Sequence, residues 1–504
     1  MRNKRGTGIA LSYVYLILNM VIGLFISSFI IRKLGGTEYG LYQTVGSFAN
    51  YLVMLEFGTG TVMTRNLSVY RHDDTKERTK KCISTIWIIS FALSLLIFGV
   101  ATVFMLNMGI IYKNTMTLEQ LSYGRGIFSL IVVNLVLSFF QSTANGMLLG
   151  FENYTFSDQI KILKLVIRTF IVVLMLSFWP LAIVLTIVDC LLSIVSLIST
   201  IIYCKSKYEF KIRIKDFDMQ IFKESLPLCI ALILQTLINQ ANNEVDKTVL
   251  GICLSLESVA VYSVAQYIYS MFSSVTTVPI KMYMPEVAKT IMSGSKGLVL
   301  TKTLIQPCRL ITICGGMIMF GFIAVGKQFI NVLYGEQYLP AWLYANIIII
   351  PMFINMTNGV LVNVLDVLKK RMMRSYILLA TTAINIFLTI ILINRIGIIG
   401  AVIATAISVI IGQDIAMNIY YSKKIGIRIM YLFAEAYKGI IPAEVLACIV
   451  SSLVASLIHN SLWSLITGGI VFLFVCFIGF VCFGFNNVEK ENLKKVLKKL
   501  KKTK

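Results

Sequence analysis

Fourteen apolar stretches, each close to twenty residues long, follow one another along this chain of 504 residues. An α-helix needs roughly twenty apolar residues to cross a hydrocarbon layer about 30 Å thick. In lipid, backbone N–H and C=O groups must be paired within their own helix or within a closed barrel. Long unbroken apolar runs favour the helix. The chain is therefore predicted to be an all-α polytopic membrane protein with fourteen transmembrane helices.

Composition agrees with this prediction, since 57% of the residues are hydrophobic and only 14% are charged, whereas soluble domains carry about 25% charged residues. The predicted spans are 8–31, 40–63, 83–106, 125–149, 162–179, 181–203, 226–251, 257–280, 304–326, 341–365, 375–394, 397–421, 439–458 and 462–484.

The net charge of +22 reflects how the chain is oriented in the membrane. Lys and Arg concentrate in the termini and in alternate loops, for example 65–81 and 205–223. Because basic loops stay on the cytoplasmic side, both termini are predicted to be cytoplasmic. We expect this basic surface to face anionic membrane lipid, and we expect no nucleic-acid partner.

The composition argues against metal and enzyme chemistry. The ten cysteines show no metal-ligand spacing, and the chain has only two histidines, so we expect no metal site and no cofactor. The longest loops, of about twenty residues, are far too short to fold as a domain. We expect a protein without catalytic residues, whose site lies between helices.

The chain looks internally duplicated. Residues 144–148 (ANGML) resemble residues 357–361 (TNGVL), and residues 34–42 resemble residues 250–262. The offset between the matching segments is about 213–220 residues, which corresponds to six spans. An even number of spans relates two lobes by an axis along the membrane normal. The predicted organisation is an N-lobe at 1–203, a cytoplasmic linker at 204–225, a C-lobe at 226–421, an additional helix pair at 439–484 and a basic amphipathic cytoplasmic tail at 486–504.

Polar side chains inside membrane helices indicate a wet lumen or helix adhesion. In the seventh span, Gln235, Asn239, Asn242 and Asp246 recur at steps of three and four residues and share one helix face. Amides suit sugars because they both donate and accept hydrogen bonds. Further residues predicted to line the lumen are Asn19, Gln141, Asn145 and Gln266.

Charged residues inside spans are the remaining candidates. Arg309 is the preferred cation for a phosphate-bearing substrate. Lys247 is a further candidate, with pairing to Glu244 or Asp246, or extension to the outer surface, as its alternatives. Arg168 could bind substrate or extend to the interface. Glu56 and Asp246 are candidates for coupling transport to an ion gradient, with pairing to a nearby cation as the alternative.

Several stretches resemble the bacterial polysaccharide transporters, which are Wzx-type flippases of the multidrug/oligosaccharidyl-lipid/polysaccharide exporter superfamily. The resemblance rests on Tyr15, Asn19 and Gly23, and on residues 32–42 (RKLGGTEYGLY), 55–58 (LEFG), 245–251 (VDKTVLG), 260–265 and 332–341 (VLYGEQYLPA). It extends over the whole chain.

The resemblance implies two six-helix lobes plus a terminal helix pair in a bacterial cytoplasmic membrane. It also implies that the protein moves undecaprenyl-pyrophosphate-linked oligosaccharide repeat units from the inner to the outer leaflet by alternating access, for surface polysaccharide biosynthesis. The polysaccharide polymerase machinery is a further expected partner. The alternatives are a cation-coupled multidrug exporter and a lipid II flippase of the same superfamily.

Overall fold

The computed structural model describes residues 2–56, 58–70, 76–208, 212–294, 297–368 and 370–491. Every regular element in these ranges is a helix, which confirms the all-α prediction. The α-helices are α1 (Arg2–Leu52), α2 (Thr59–Tyr70), α3 (Lys76–Ile111), α4 (Leu118–Gly150), α5 (Tyr154–Phe178), α6 (Ala182–Tyr208), α7 (Met219–Cys253), α8 (Leu256–Met292), α9 (Gly297–Leu333), α10 (Pro340–Thr357), α11 (Gly359–Val367), α12 (Arg371–Ile396), α13 (Ile398–Val409), α14 (Met417–Tyr420), α15 (Ile429–Tyr437), α16 (Ile440–Ser456) and α17 (Ser461–Gly479).

Shorter helical segments join these elements. Turns of 3₁₀-helix lie at Val53–Glu56, Ile214–Asp216 and Glu336–Tyr338. Segments of π-helix lie at Ile410–Ala416, Tyr421–Ile425 and Phe480–Gly484.

Local sequence explains where several helices begin. Thr117 and Gln120 form a capping box at the start of α4, in which each side chain accepts a hydrogen bond from the other residue's backbone N–H. Asp218 caps α7, and Asn460 caps α17. Each cap pairs N–H groups that the first turn of a helix cannot satisfy by itself.

Fewer helices meet the length and hydropathy needed for a membrane crossing than the fourteen that the sequence predicts. Within the described ranges, ten helices are long and apolar enough to cross a membrane, or eleven if the pair α15 and α16, bent by 47°, forms one span. One of the ten is the 57-residue stretch Val14–Tyr70, which contains most of the first predicted span and all of the second. Gly35 interrupts it with φ 76° and ψ 174°, in the predicted first loop. Fourteen crossings therefore stay a prediction.

The chain divides into two compact units, Met1–Ala260 and Val261–Lys504. In the first unit, α4 packs against α1, α2, α3 and α6, and α1 packs against α5 and α7. In the second unit, α9 packs against α10, α15, α16 and α17, and α12 packs against α13. The predicted linker at 204–225 falls inside the first unit, so the predicted lobe boundaries stay a prediction.

The predicted tail begins in the described residues. The Asn486 side chain accepts a hydrogen bond from the backbone N–H of Glu489 at 2.9 Å, and the Glu489 carboxylate accepts one from the N–H of Asn486 at 2.8 Å. This reciprocal cap starts a short helix at residues 487–491, and the basic amphipathic tail stays a prediction. Residues 492–504 lie outside the described ranges.

Candidate functional site

The polar face predicted on the seventh span lies on α7. Asp246 is 1% exposed, and the Asn242 side-chain amide donates a hydrogen bond to the backbone oxygen of Ile238 at 2.9 Å. The side chains of Gln235 and Asn239 lie outside what the structure describes. Of this predicted stripe, the structure thus places Asp246 in the interior of the first unit and leaves Asn242 partly buried.

A polar seam joins α1 and α7. The Glu244 carboxylate accepts hydrogen bonds from Lys247 Nζ at 3.3 Å and from Asn50 Nδ2 at 3.1 Å. One turn earlier on α1, the Ser47 hydroxyl lies 3.1 Å from that of Thr248. Only 12% of the Lys247 side chain is exposed. The pairing alternative for Lys247 is therefore the observed one, because its charge is matched by Glu244 three residues earlier.

A polar cavity of about 330 Å³ lies between α2 and α4. Six of its nine lining residues are polar and uncharged, namely Thr61, Thr64, Ser138, Gln141, Ser142 and Asn145, and the other three are Gly60, Gly146 and Leu149. The cavity is near the lower end of the range for small-molecule sites, about 300–1,000 Å³. It brings together two of the predicted lumen residues, Gln141 and Asn145, with hydroxyl groups that the sequence did not single out.

The walls of this cavity are held by close packing and by hydrogen bonds. A Cβ atom added to Gly146 would lie 2.4 Å from the backbone oxygen of Gly60, so α2 and α4 approach each other where only glycine fits. The Gln141 amide donates to Thr200 Oγ1 of α6 at 3.0 Å and accepts from Ser196 at 3.4 Å. These contacts fix the orientation of the Gln141 side chain at the cavity wall.

Glu56 lies next to the cavity. It ends the 3₁₀ turn Val53–Glu56, and its carboxylate lies close to the hydroxyl of Ser142, a residue of the cavity wall. A partly buried carboxylate thus adjoins the uncharged cavity.

A charged cluster ties α5 to α6. Arg168 binds Asp189 through two hydrogen bonds, from Nε to Oδ1 at 2.5 Å and from Nη2 to Oδ2 at 2.9 Å. Lys164 Nζ donates to Ser193 Oγ at 2.9 Å, and Ser193 donates in turn to Asn134 of α4. Two parallel hydrogen bonds make the Arg168–Asp189 contact bidentate, and bidentate ion pairs are stronger than those with one hydrogen bond. Arg168 therefore serves first to join two apolar helices.

Replacing Arg168 with Met is expected to destabilise the first unit. The change leaves the Asp189 carboxylate without its ion partner, and removing one partner of a fully buried pair costs about 3–5 kcal/mol. The Arg168 and Asp189 side chains are 28% and 18% exposed, so we expect about 2–3 kcal/mol. Thermal unfolding of the purified protein measures this loss. Lys205→Met, at an exposed position on α6, is the control. Equal melting temperatures for both variants would contradict the structural role.

Arg309 is enclosed by the second unit. Its side chain is 5% exposed and bonds both carboxylate oxygens of Glu489, at 2.9 and 3.0 Å. Its remaining donors bind the backbone oxygens of Glu435, Lys438 and Gly484 at 2.8, 3.2 and 2.6 Å. All five N–H donors of the guanidinium are thus used inside the protein. This geometry favours a structural role over the predicted contact with a substrate phosphate.

The remaining predicted lumen residues are dispersed. Asn19 is exposed on α1, and Gln266 is partly buried on α8. Neither lines the cavity between α2 and α4.

Comparisons with known proteins place the chain in a family. The family model "Polysaccharide biosynthesis protein" matches residues 6–290, which is more than half of the chain. The chain belongs to the polysaccharide biosynthesis protein family. The predicted family resemblance is confirmed. The matched region contains both the α2–α4 cavity and the seam between α1 and α7. No curated protein sequence matches the chain.

Solved structures share the fold of this family member. The lipid II flippase MurJ in an inward closed conformation superposes with a TM-score of 0.73 at 16% identity, covering 94% of this chain and 99% of that chain. An inward-facing multidrug resistance transporter of the MATE family and MOP superfamily gives 0.61 at 14% identity, covering 82% and 99%. The MATE multidrug transporter DinF-BH in complex with R6G gives 0.54 at 16% identity, covering 84% and 96%. The protein is a multi-pass membrane protein with the fold of these transporters.

Proposed function

We propose that this protein is a flippase that moves undecaprenyl-pyrophosphate-linked oligosaccharide repeat units from the inner to the outer leaflet, for surface polysaccharide biosynthesis. The observation that carries the proposal is the polar cavity of about 330 Å³ between α2 and α4, inside the region that matches the polysaccharide biosynthesis family. MurJ, by its name, is a lipid II flippase, and the shared fold supports the same class of action here.

The cavity chemistry suits a sugar. Hydroxyl and amide groups donate and accept, as the hydroxyls of a sugar require, and the nine lining residues include no charged side chain. A cationic drug would instead call for a carboxylate in the wall. The uncharged lining favours the oligosaccharide over the drug-exporter alternative, for which the adjacent Glu56 would have to supply the carboxylate, although MATE transporters share the fold.

The membrane arrangement belongs to the same proposal. Fourteen spans, arranged as two six-helix lobes and a terminal pair, would place both termini in the cytoplasm of a bacterial cell and allow alternating access between lobes. The polyprenyl tail of the substrate would remain in lipid while its sugars occupy the cavity. Partners of the protein would be this substrate, anionic membrane lipid and the polymerase machinery, and the protein would transport without catalysing a chemical step.

The substrate contacts and coupling groups also stay proposals. Gln141 and Asn145, which line the cavity, are the proposed sugar contacts that the geometry supports best. Glu56, whose carboxylate lies close to Ser142 of the cavity wall, is the better placed coupling candidate, and Asp246, buried on α7, is the second.

A strain that lacks this chain tests the function. We expect loss of the surface polymer and accumulation of sugar-loaded polyprenyl carrier on the inner leaflet, because the repeat unit would be made but not moved. Mass spectrometry of extracted lipid-linked glycans measures the carrier, and re-expression of the chain is the control. Unchanged polymer and carrier, together with lower tolerance of cationic drugs, would contradict the flippase and support the drug exporter.

A further inference from the structure

Glu444 is a buried acid in the second unit that the proposed transport site does not use. It lies on α16 and is 0% exposed, and neither of its carboxyl oxygens has a hydrogen-bond partner among the described residues. It is also the only charged residue type in α16 and α17. Burying an ionised carboxylate without a partner is so costly that such a group takes up a proton instead. The packing of α16 therefore favours the neutral acid.

The surroundings of Glu444 are apolar, and α9 leaves room for its carboxyl group. Ala443, which precedes it, belongs to a buried cluster that also contains Phe472 and Cys476 of α17. A Cβ atom added to Gly316 of α9 would overlap Glu444 Oε2. Only glycine at this position of α9 thus accommodates the carboxyl group, and glycine has no side chain to bond it.

The titratable groups that face Glu444 are thiols. Cys314 of α9 and Cys476 of α17 lie close to its carboxyl group, and a thiol ordinarily ionises only near pH 8.5, or about that value. The nearest charged residues along α9 are Arg309 and Lys327, each more than one turn of helix from Cys314. The three helices α9, α16 and α17 therefore hold no positive charge next to an ionised Glu444.

Proton binding and helix packing are linked at this position. The helices α16 and α17 pack against each other, and both pack against α9. Ionisation of Glu444 would place an unpartnered charge in this contact, and moving α16 away from α9 is the way to bring water to that charge. A bound proton thus favours the packed arrangement, and the packed arrangement favours the bound proton, to the same extent.

We propose that Glu444 is a proton-binding site that controls how firmly the terminal helix pair α16–α17 is held against α9. With the proton bound, the neutral acid fits beside Gly316 and the pair is held. When the carboxyl group gives its proton to water, α16 loosens from α9. The site lies outside the α2–α4 cavity and uses no property of the transported substrate, so it stands whether or not the protein is a flippase.

Infrared spectroscopy of the purified full-length protein in lipid vesicles tests the bound proton. We expect the unchanged protein to show the carbonyl band of a protonated carboxyl group, and Glu444→Gln, which has nearly the same shape, to lose that part of the band. Glu77→Gln is the control, because Glu77 is exposed and ion-paired with Lys81, and it should leave the band unchanged. Equal bands in Glu444→Gln and Glu77→Gln would overturn the proton site.

Alkylation of the native cysteines tests the control of the helix pair. Cys476 is 0% exposed and lies close to Glu444. At a single pH, a membrane-permeant maleimide should modify Cys476 about tenfold more slowly in Glu444→Gln than in the unchanged protein, because the amide cannot ionise and the pair stays packed. Cys308 is the control thiol, since it is also 0% exposed but bonds the backbone oxygen of Thr357, and it should react equally in both proteins. Mass spectrometry measures both rates.

Two glycine variants test the fit of the carboxyl group. The methyl group of Gly316→Ala would overlap the carboxyl group, so this variant should loosen the pair and speed the modification of Cys476. Gly469→Ala on α17, where an added Cβ atom meets nothing within 4 Å, is the matched control and should leave the rate unchanged. Equal Cys476 rates in Glu444→Gln and the unchanged protein, or in the two glycine variants, would overturn the proposed control of the helix pair.

Discussion

Replacing Arg309 with Met is expected to reduce the amount of folded protein before it affects transport. The change leaves the Glu489 carboxylate, whose side chain is 9% exposed, without an ion partner, and it frees the backbone oxygens of Glu435, Lys438 and Gly484. Breaking a buried pair in this way costs about 3–5 kcal/mol. Thermal unfolding of the purified protein and the yield of inserted protein measure the effect.

Two further variants separate the causes. Arg309→Lys keeps the positive charge but loses the planar fork that binds both Glu489 oxygens, so its stability should lie between those of the unchanged protein and Arg309→Met. Adding Glu489→Gln to Arg309→Met should recover part of the loss, because no uncompensated charge then remains buried. A stable Arg309→Met protein that is inserted normally but fails to export would contradict the structural role and support the predicted substrate contact.

Arg309 also illustrates the limit of sequence reasoning in this chain. Its position inside an apolar run predicts a functional cation, because a charge in the membrane is costly. Its bonding partners lie 126 to 180 residues further along the sequence, so no local spacing reveals them. Lys247 is the opposite case, since Glu244 lies three residues earlier on the same helix and the pairing alternative follows from spacing.

The fold was more predictable than the site, because the membrane restricts backbone structure. Apolar runs must become helices where lipid offers no hydrogen bonds. The helices extend beyond the predicted spans, as α3 at Lys76–Ile111 does beyond 83–106, since the apolar run marks only the part of a helix that lies in hydrocarbon. The number of crossings was harder to predict, because the break at Gly35 lies inside one long helix, α1.

The cavity between α2 and α4 could be predicted only in part. Gln141 and Asn145 stand out because amides are rare in apolar runs. Thr61, Thr64 and Ser142 gave no signal, because Ser and Thr can bond the carbonyl of their own preceding turn and are tolerated throughout membrane helices. Thr64 does this with Gly60 at 2.9 Å and yet lines the cavity. Which hydroxyls face a shared space is decided by packing between helices.

Replacing Thr61 with Trp is expected to abolish export while leaving the protein folded. Thr61 lines the cavity and is exposed, so an indole can occupy the space without displacing core side chains. We expect surface polymer below about a tenth of the normal amount, since a filled cavity excludes the sugar. Polymer is measured in the deletion strain carrying each variant, together with the amount of inserted protein.

A matched control and a smaller change show whether export depends on the free volume of the cavity and on its hydroxyl groups. Val69→Trp adds the same ring on α2 at a position that is 59% exposed and outside the cavity, so export should be normal. Thr61→Val keeps the volume but removes one hydroxyl, which is worth about 0.5–1.5 kcal/mol as a hydrogen bond, and should slow export a few-fold.

Normal export by Thr61→Trp would exclude this cavity as the sugar site, because no repeat unit could pass through a space already filled. Equal loss in Val69→Trp would instead assign the defect to packing of α2. The order Thr61→Trp, then Thr61→Val, then Val69→Trp in severity is expected only if sugars bind between α2 and α4.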